Sequence, residues 1–164
     1  MPSQGSEKQL LEYAACQCFL DTYNRLHQTH FELLEHGDKP DFLVRDSQSS
    51  EKIGVEVTHL YYDGKEAKML LGRRPKEPHG VMTMDQLIAQ LNSLLYEKVG
   101  RAAKYDFEGR LFLLVRVGSP IFDKADFDMW EDEISVPPFN LFDQIWLLFR
   151  NQTNNTFSDL TQIQ

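Results

Sequence analysis

The rhythm of apolar and polar positions changes several times along the chain, and each rhythm predicts an element. After Ser6, a candidate N-cap, Leu10, Tyr13, Ala14, Cys18 and Leu20 recur mostly at three- and four-residue steps. Tyr23 and Leu26 continue the series, and the spacing predicts a first helix. Residues 30–35 fit a short strand or a last helical turn, of which the strand is preferred; Gly37 and Asp38 follow as a turn signal. Residues 39–46 begin Lys-Pro-Asp and run into β-prone residues, and a polar turn covers 47–50. In residues 52–60, Ile53, Val55 and Val57 alternate with Gly54, Glu56 and Thr58. These two runs predict a hairpin, with Glu56 and Thr58 on one face and the β-branched residues on the other. A strong helix is predicted over about 83–105, with Thr83 as N-cap and Asp85 in its first turn. Residues 110–117 are almost continuously apolar, as in a central strand covered on both faces. An acidic short helix at 123–133, a buried strand at 143–150, a turn at 151–155 and an edge strand within 156–163 complete the order. This alternation predicts an α/β protein whose mixed sheet carries packed helices.

Length and composition narrow the class. The 164 residues suit one domain, 1–164, with a core at about 6–117 and a helix-strand extension at about 118–164. A chain of this size buries roughly 70% of its unfolded surface and needs no disulfide or zinc staple. Cys16 and Cys18 are two apart, so they do not face each other on a helix, and a buried unpaired role is expected. No run approaches the ~20 apolar residues of a membrane span, and the first residues are polar. The expectation is a reduced, cytoplasmic protein without membrane contact. The net charge of −8 argues against holding nucleic acid through a broad basic face. It leaves room for a local basic patch or a metal-dependent site.

One constellation carries chemistry. Asp41 opens a strand after Pro40, and Glu56 lies in the next strand, two residues before Thr58. A hairpin brings such carboxylates together, and close carboxylates repel unless a cation lies between them. A hard divalent ion such as Mg2+ or Mn2+ takes one or two carboxylates with waters and phosphate oxygens. Such an ion lowers the pKa of a bound water and offsets charge on a phosphodiester transition state.

Pro40-Asp41, followed by Glu56-Val57-Thr58, resembles the PD-(D/E)xK nuclease superfamily, whose members include restriction endonucleases. The resemblance implies a restriction-endonuclease-like α-β-β-β-α-β core, the order read above for residues 6–117. It also implies that Asp41 and Glu56 hold the metal. Many members add a glutamate from the first helix, for which Glu12 is the candidate, with Glu32 and Glu35 behind it. The superfamily's lysine belongs two residues after the glutamate, where this chain has Thr58. A threonine hydrogen-bonds water but supplies no positive charge.

Lys98 is the candidate replacement. Met84, Ile88, Leu91, Leu95 and Ala102 define an apolar stripe on the long helix, and at about 100° per residue Lys98 falls near its middle. A buried ammonium is costly without a partner, and Glu56 is an obvious one. Alternatively, Lys98 snorkels past the sheet edge into water. A lysine migrated in this way recurs in the superfamily. Residues 65–76 hold Lys65, Lys68, Arg73, Arg74 and Lys76, the one locally basic stretch. They form either a charged flexible loop or a clamp on nucleic-acid backbone beside the carboxylates.

The resulting expectation is a Mg2+- or Mn2+-dependent endonuclease hydrolysing DNA phosphodiester bonds, with Asp41, Glu56, Glu12, Lys98 and Thr58 at its site. The alternative is a binding protein on the same fold that has lost catalysis, with nucleic acid or a protein such as a basic toxin as partner. Double-strand cutting by a single-site chain requires a homodimer or repeated nicks. The strand at 145–149 is read as a sheet extension or a dimer contact.

Overall fold

The computed structural model describes residues 4–61 and 83–164. Lys65, Lys68, Arg73, Arg74 and Lys76 lie outside the described residues, so the clamp reading of that stretch is not addressed. In chain order the elements are α1 (Gln4–His27), β1 (Phe31–His36), β2 (Phe42–Asp46), β3 (Lys52–Leu60), α2 (Met84–Ala102), β4 (Arg110–Val117), α3 (Lys124–Met129), β5 (Gln144–Arg150) and β6 (Phe157–Gln162). A single 3-10 turn, Glu131–Glu133, follows α3. Among the described residues the strands form one six-stranded sheet in the order β1-β2-β3-β4-β5-β6. β1, β2 and β3 run antiparallel in turn, β3-β4-β5 are parallel, and β6 returns antiparallel to β5. The protein is therefore mixed α/β.

Two apolar layers hold the sheet. On one face, Phe19, Leu20 and Tyr23 of α1 pack on Val55, Val57, Phe112, Leu114, Trp146 and Leu148. On the other, Leu87, Leu91 and Leu95 of α2 pack on Leu60, Leu111, Leu113, Val115, Ile145 and Leu147. Successive residues of β4 and β5 serve opposite layers, which is why their sequences read as near-continuous apolar runs. β5 is bonded on both sides, to β4 and β6. It is thus a sheet extension with both of its backbone edges paired. No helix among the described residues is long and apolar enough to cross a membrane.

Three expectations change. Ser6 lies inside α1 instead of capping it. The buried face of α1 is Ala15, Cys16, Phe19, Leu20 and Tyr23, whereas Leu10, Tyr13 and Leu26 are exposed. Apolar residues surround this helix, so their spacing alone does not fix which side meets the sheet. α2 ends at Ala102, and Tyr105 lies beyond it. The α2 stripe itself holds, with Met84, Ile88, Leu91, Leu95 and Ala102 all buried and Leu87 added. Both cysteines are free, Cys16 buried and Cys18 half-buried.

Asn24 fixes how α1 enters the sheet. Its Nδ2 donates to the Phe31 carbonyl at 2.9 Å, and its Oδ1 accepts from Phe31 N–H at 2.9 Å and the Thr29 hydroxyl at 2.8 Å. Asn24→Ala strands these half-buried groups. A loss of about 1–3 kcal/mol is expected in urea unfolding, with the same denaturant slope as the parent.

Candidate functional site

The pairing of β2 with β3 stops at Phe42 and Val55. Asp41 stands at that fork. Its Oδ2 accepts from Val57 N–H at 2.9 Å, so the carboxylate continues the ladder in place of a backbone carbonyl. Gly54 makes the fork possible. A Cβ there meets Pro40 Cγ at 2.7 Å and Phe107 Cζ at 2.9 Å, so only glycine lets Pro40 lie against β3 and deliver Asp41.

Glu56 projects from the next turn of the pleat into the α2 layer, 5% exposed, across the ladder from Leu113. Asp41 and Glu56 share a side-chain hydrogen bond. Burial raises both above the ordinary carboxylate range, and Glu56 is pushed up to about 8 by burial, by its bond to Asp41 and by the Asp41 charge. Two carboxyls so placed hold one proton between them at neutral pH. The Tyr105 hydroxyl donates to Glu56 Oε2. Burial, followed by this bond, raises the Tyr105 phenol well above its usual range.

Glu12, 6% exposed, reaches the same cleft from α1. Its pKa is raised by burial first, and its charge is felt by Asp41 and Glu56. Among the described residues no group of three or more His, Cys, Asp or Glu is placed to hold a metal ion. Lys8, four residues earlier on α1, draws it aside at 3.7 Å. Lys98 is half-buried, lines the cleft and lowers the pKa of both Glu12 and Glu56. It thus takes the intermediate course between the two sequence readings: its charge acts on the carboxylates, and its side chain is not sealed in the core. Thr58 is buried on the Glu56 face but lines a neighbouring cleft instead of this one.

The carboxylate cleft has a volume of about 460 Å³. Its rim carries Lys39, Arg101 and Lys104 as well as Lys8 and Lys98. Sequence reasoning missed Lys8 and Tyr105. The signal for Lys8 was present, since Lys8 and Glu12 have the i, i+4 spacing of a helical ion pair. Tyr105 was hidden by the overlong helix, which assigned it a helical direction it does not have.

His59, 6% exposed, lies on the opposite face of β3 and stacks on Tyr61 with ring centroids 5.8 Å apart. Neither ring nitrogen has a hydrogen-bond partner among the described residues. Burial, then Arg116, Lys8 and Lys98, hold it neutral, with its pKa down to about 3.

The donor set suits a hard cation. Half-buried Asp41 and buried Glu56 could offer oxygen ligands, and a divalent charge between them would allow both to ionise. No family model, curated protein or solved structure matches this chain.

Proposed function

We propose that the protein is a metal-dependent phosphodiesterase acting on DNA, of the PD-(D/E)xK type. The observation that carries this reading is the pairing of half-buried Asp41 with buried Glu56 in a cation-rimmed cleft. The order α1-β1-β2-β3-α2-β4 supports a restriction-endonuclease-like core. Asp41 and Glu56 would hold Mg2+ or Mn2+, which would supply Lewis acidity and a water of lowered pKa. Tyr105 fixes one Glu56 oxygen and leaves the other to its partner. Lys98 offsets charge on the phosphate in place of the missing lysine at Thr58. Glu12, tied to Lys8, orients water at the edge of the pair.

The test is cleavage of plasmid and single-stranded DNA by purified protein with and without magnesium. Cleavage is expected only with the metal, and Asp41→Asn is expected to remove it. Retained cleavage in Asp41→Asn sinks the assignment. A second reading, a binding protein without catalysis, is favoured by the acidic segment 123–133. It holds six carboxylates and one lysine and exposes Met129 at 83%, a surface suited to a basic protein partner. Under that reading, magnesium leaves the melting temperature unchanged; under the first, it raises it by mass action.

A further inference from the structure

Past Val55, β3 loses β2 as a partner among the described residues, while its pairing with β4 continues to Leu60 and Val117. A second cleft of about 330 Å³ opens there, between the released side of β3, α1 and α2. Lys8, Thr58, Tyr61, Gln90, Ser93 and Lys98 line it. Lys8 and Lys98 line the carboxylate cleft too, so the two clefts meet at these lysines.

We infer that this second cleft seats one unpaired nucleotide of a single strand, whose adjoining phosphate lies across Lys8 and Lys98. The inference rests on the reading that the neighbouring carboxylates act on nucleic acid. Three observations carry it further. The volume is near the lower end of the roughly 300–1,000 Å³ typical of small-molecule sites, room for one base and its sugar but not for a base pair. Glu12 and Glu56 are 6% and 5% exposed, so a phosphate reaches them only if its strand enters the cleft instead of lying across the surface. The lining pairs two point cations, suited to phosphate, with hydroxyl and amide groups from Thr58, Ser93 and Gln90 that hydrogen-bond any base edge, while its carboxylate, Glu97, is paired with Arg101 at 2.7 Å. Charge along the backbone with sequence-tolerant base contacts is the mode of single-strand recognition. Unpaired DNA, whether a free strand or an overhang, is therefore the substrate class of the site.

The test measures binding of a labelled oligothymidine strand and of a blunt duplex of equal length by fluorescence anisotropy, at low salt with EDTA. The single strand is expected to bind at least ~10-fold more tightly. Ser93→Trp fills the cleft from an exposed position on α2, and is expected to weaken that binding ~10-fold or more with an unchanged melting curve. Gln90→Trp serves the same purpose if Ser93→Trp does not fold. Equal affinity for duplex and single strand overturns the inference, as does unchanged binding in a folded tryptophan variant or no binding of either DNA. Magnesium is then added to the same samples. Strand-selective, tryptophan-sensitive binding without cleavage supports the cleft and removes the hydrolytic reading. Cleavage of duplex without preference keeps the hydrolytic reading and overturns this one.

Discussion

Glu56→Gln is expected to make the metal-free protein more stable at pH 8–9, and to leave its stability at pH 5 nearly unchanged. The folded-state pKa of Glu56 is raised from 4.5 to about 8. Its protonated form is thus favoured by folding, and that contribution is complete below about pH 4.5. It is lost as pH rises through about 8, because the unfolded chain then binds fewer protons than the folded one would keep. Each pKa unit corresponds to about 1.4 kcal/mol, and discounting for partial solvent screening leaves on the order of 3 kcal/mol. Glutamine preserves a donor for Asp41 and an acceptor for Tyr105, and it never ionises. Thermal melts of parent and variant across pH 5–9 in EDTA check this directly. A parent melting temperature that stays flat over that range means that the two carboxyls do not share a proton. Adding magnesium is expected to restore the parent at pH 8 and to leave the variant unmoved, since only the parent offers two ionisable ligands. Cleavage by the variant is expected to fall at least ~100-fold.

The second large effect concerns a residue with no functional group. Gly54→Val places methyl groups where Pro40 Cγ and Phe107 Cζ already stand within 3 Å of an ideal Cβ. The proline ring is rigid and joined directly to Asp41, so it has no rotamer to yield. Overpacking of this kind is expected to cost about 3 kcal/mol, the upper end of its usual range. The site suffers as well, because moving Pro40 moves the Asp41 carboxylate off the Val57 amide, 2.9 Å away. Urea unfolding measures the first effect. Loss of the magnesium-induced rise in melting temperature, under conditions where the variant is still folded, measures the second. A variant as stable as the parent and fully responsive to magnesium shows that Pro40 has freedom the packing denies it.

The legible and illegible parts of this fold divide along physical lines. β3 matches its expected bounds because Ile53, Val55 and Val57 alternate with Gly54, Glu56 and Thr58 after a polar turn. β4 matches because few eight-residue apolar runs have another home. α1 was found but wrongly rotated, since Leu10 and Tyr13 look like core residues and Glu12 looks like surface. The structure reverses both because Glu12 borders a cleft, and a cleft buries polar groups that a core excludes. Asp41 and Glu56 were legible as a pair from the hairpin alone. The approach of Pro40 to Gly54 was not, because it depends on the tertiary position of Phe107, more than fifty residues away. The Lys8–Glu12 pair was legible in principle, since its i, i+4 spacing is that of a helical ion pair.

The acidic segment lies far from the carboxylate cleft, and this separation gives the molecule an electrical direction. Asp128 of α3 accepts from the Thr161 hydroxyl at 2.9 Å, which docks the segment on β6. The cleft belongs to the β2–β3 fork, and β3 lies three strands from β6, about 14 Å at the usual strand spacing, although the segment's last residue, Glu133, accepts through its carbonyl from Asn92 of α2. Residues 123–133 carry −5 of the net −8, whereas five cations face four carboxyls around the cleft. The protein is thus a dipole laid across its own sheet. A polyanion approaching from any side experiences a torque that turns the fork toward it before contact. Net charge slows such encounters, and the dipole selects among them. Both effects fade within a Debye length of about 8–10 Å at physiological salt, so ionic strength governs how this protein is approached more than how it holds on.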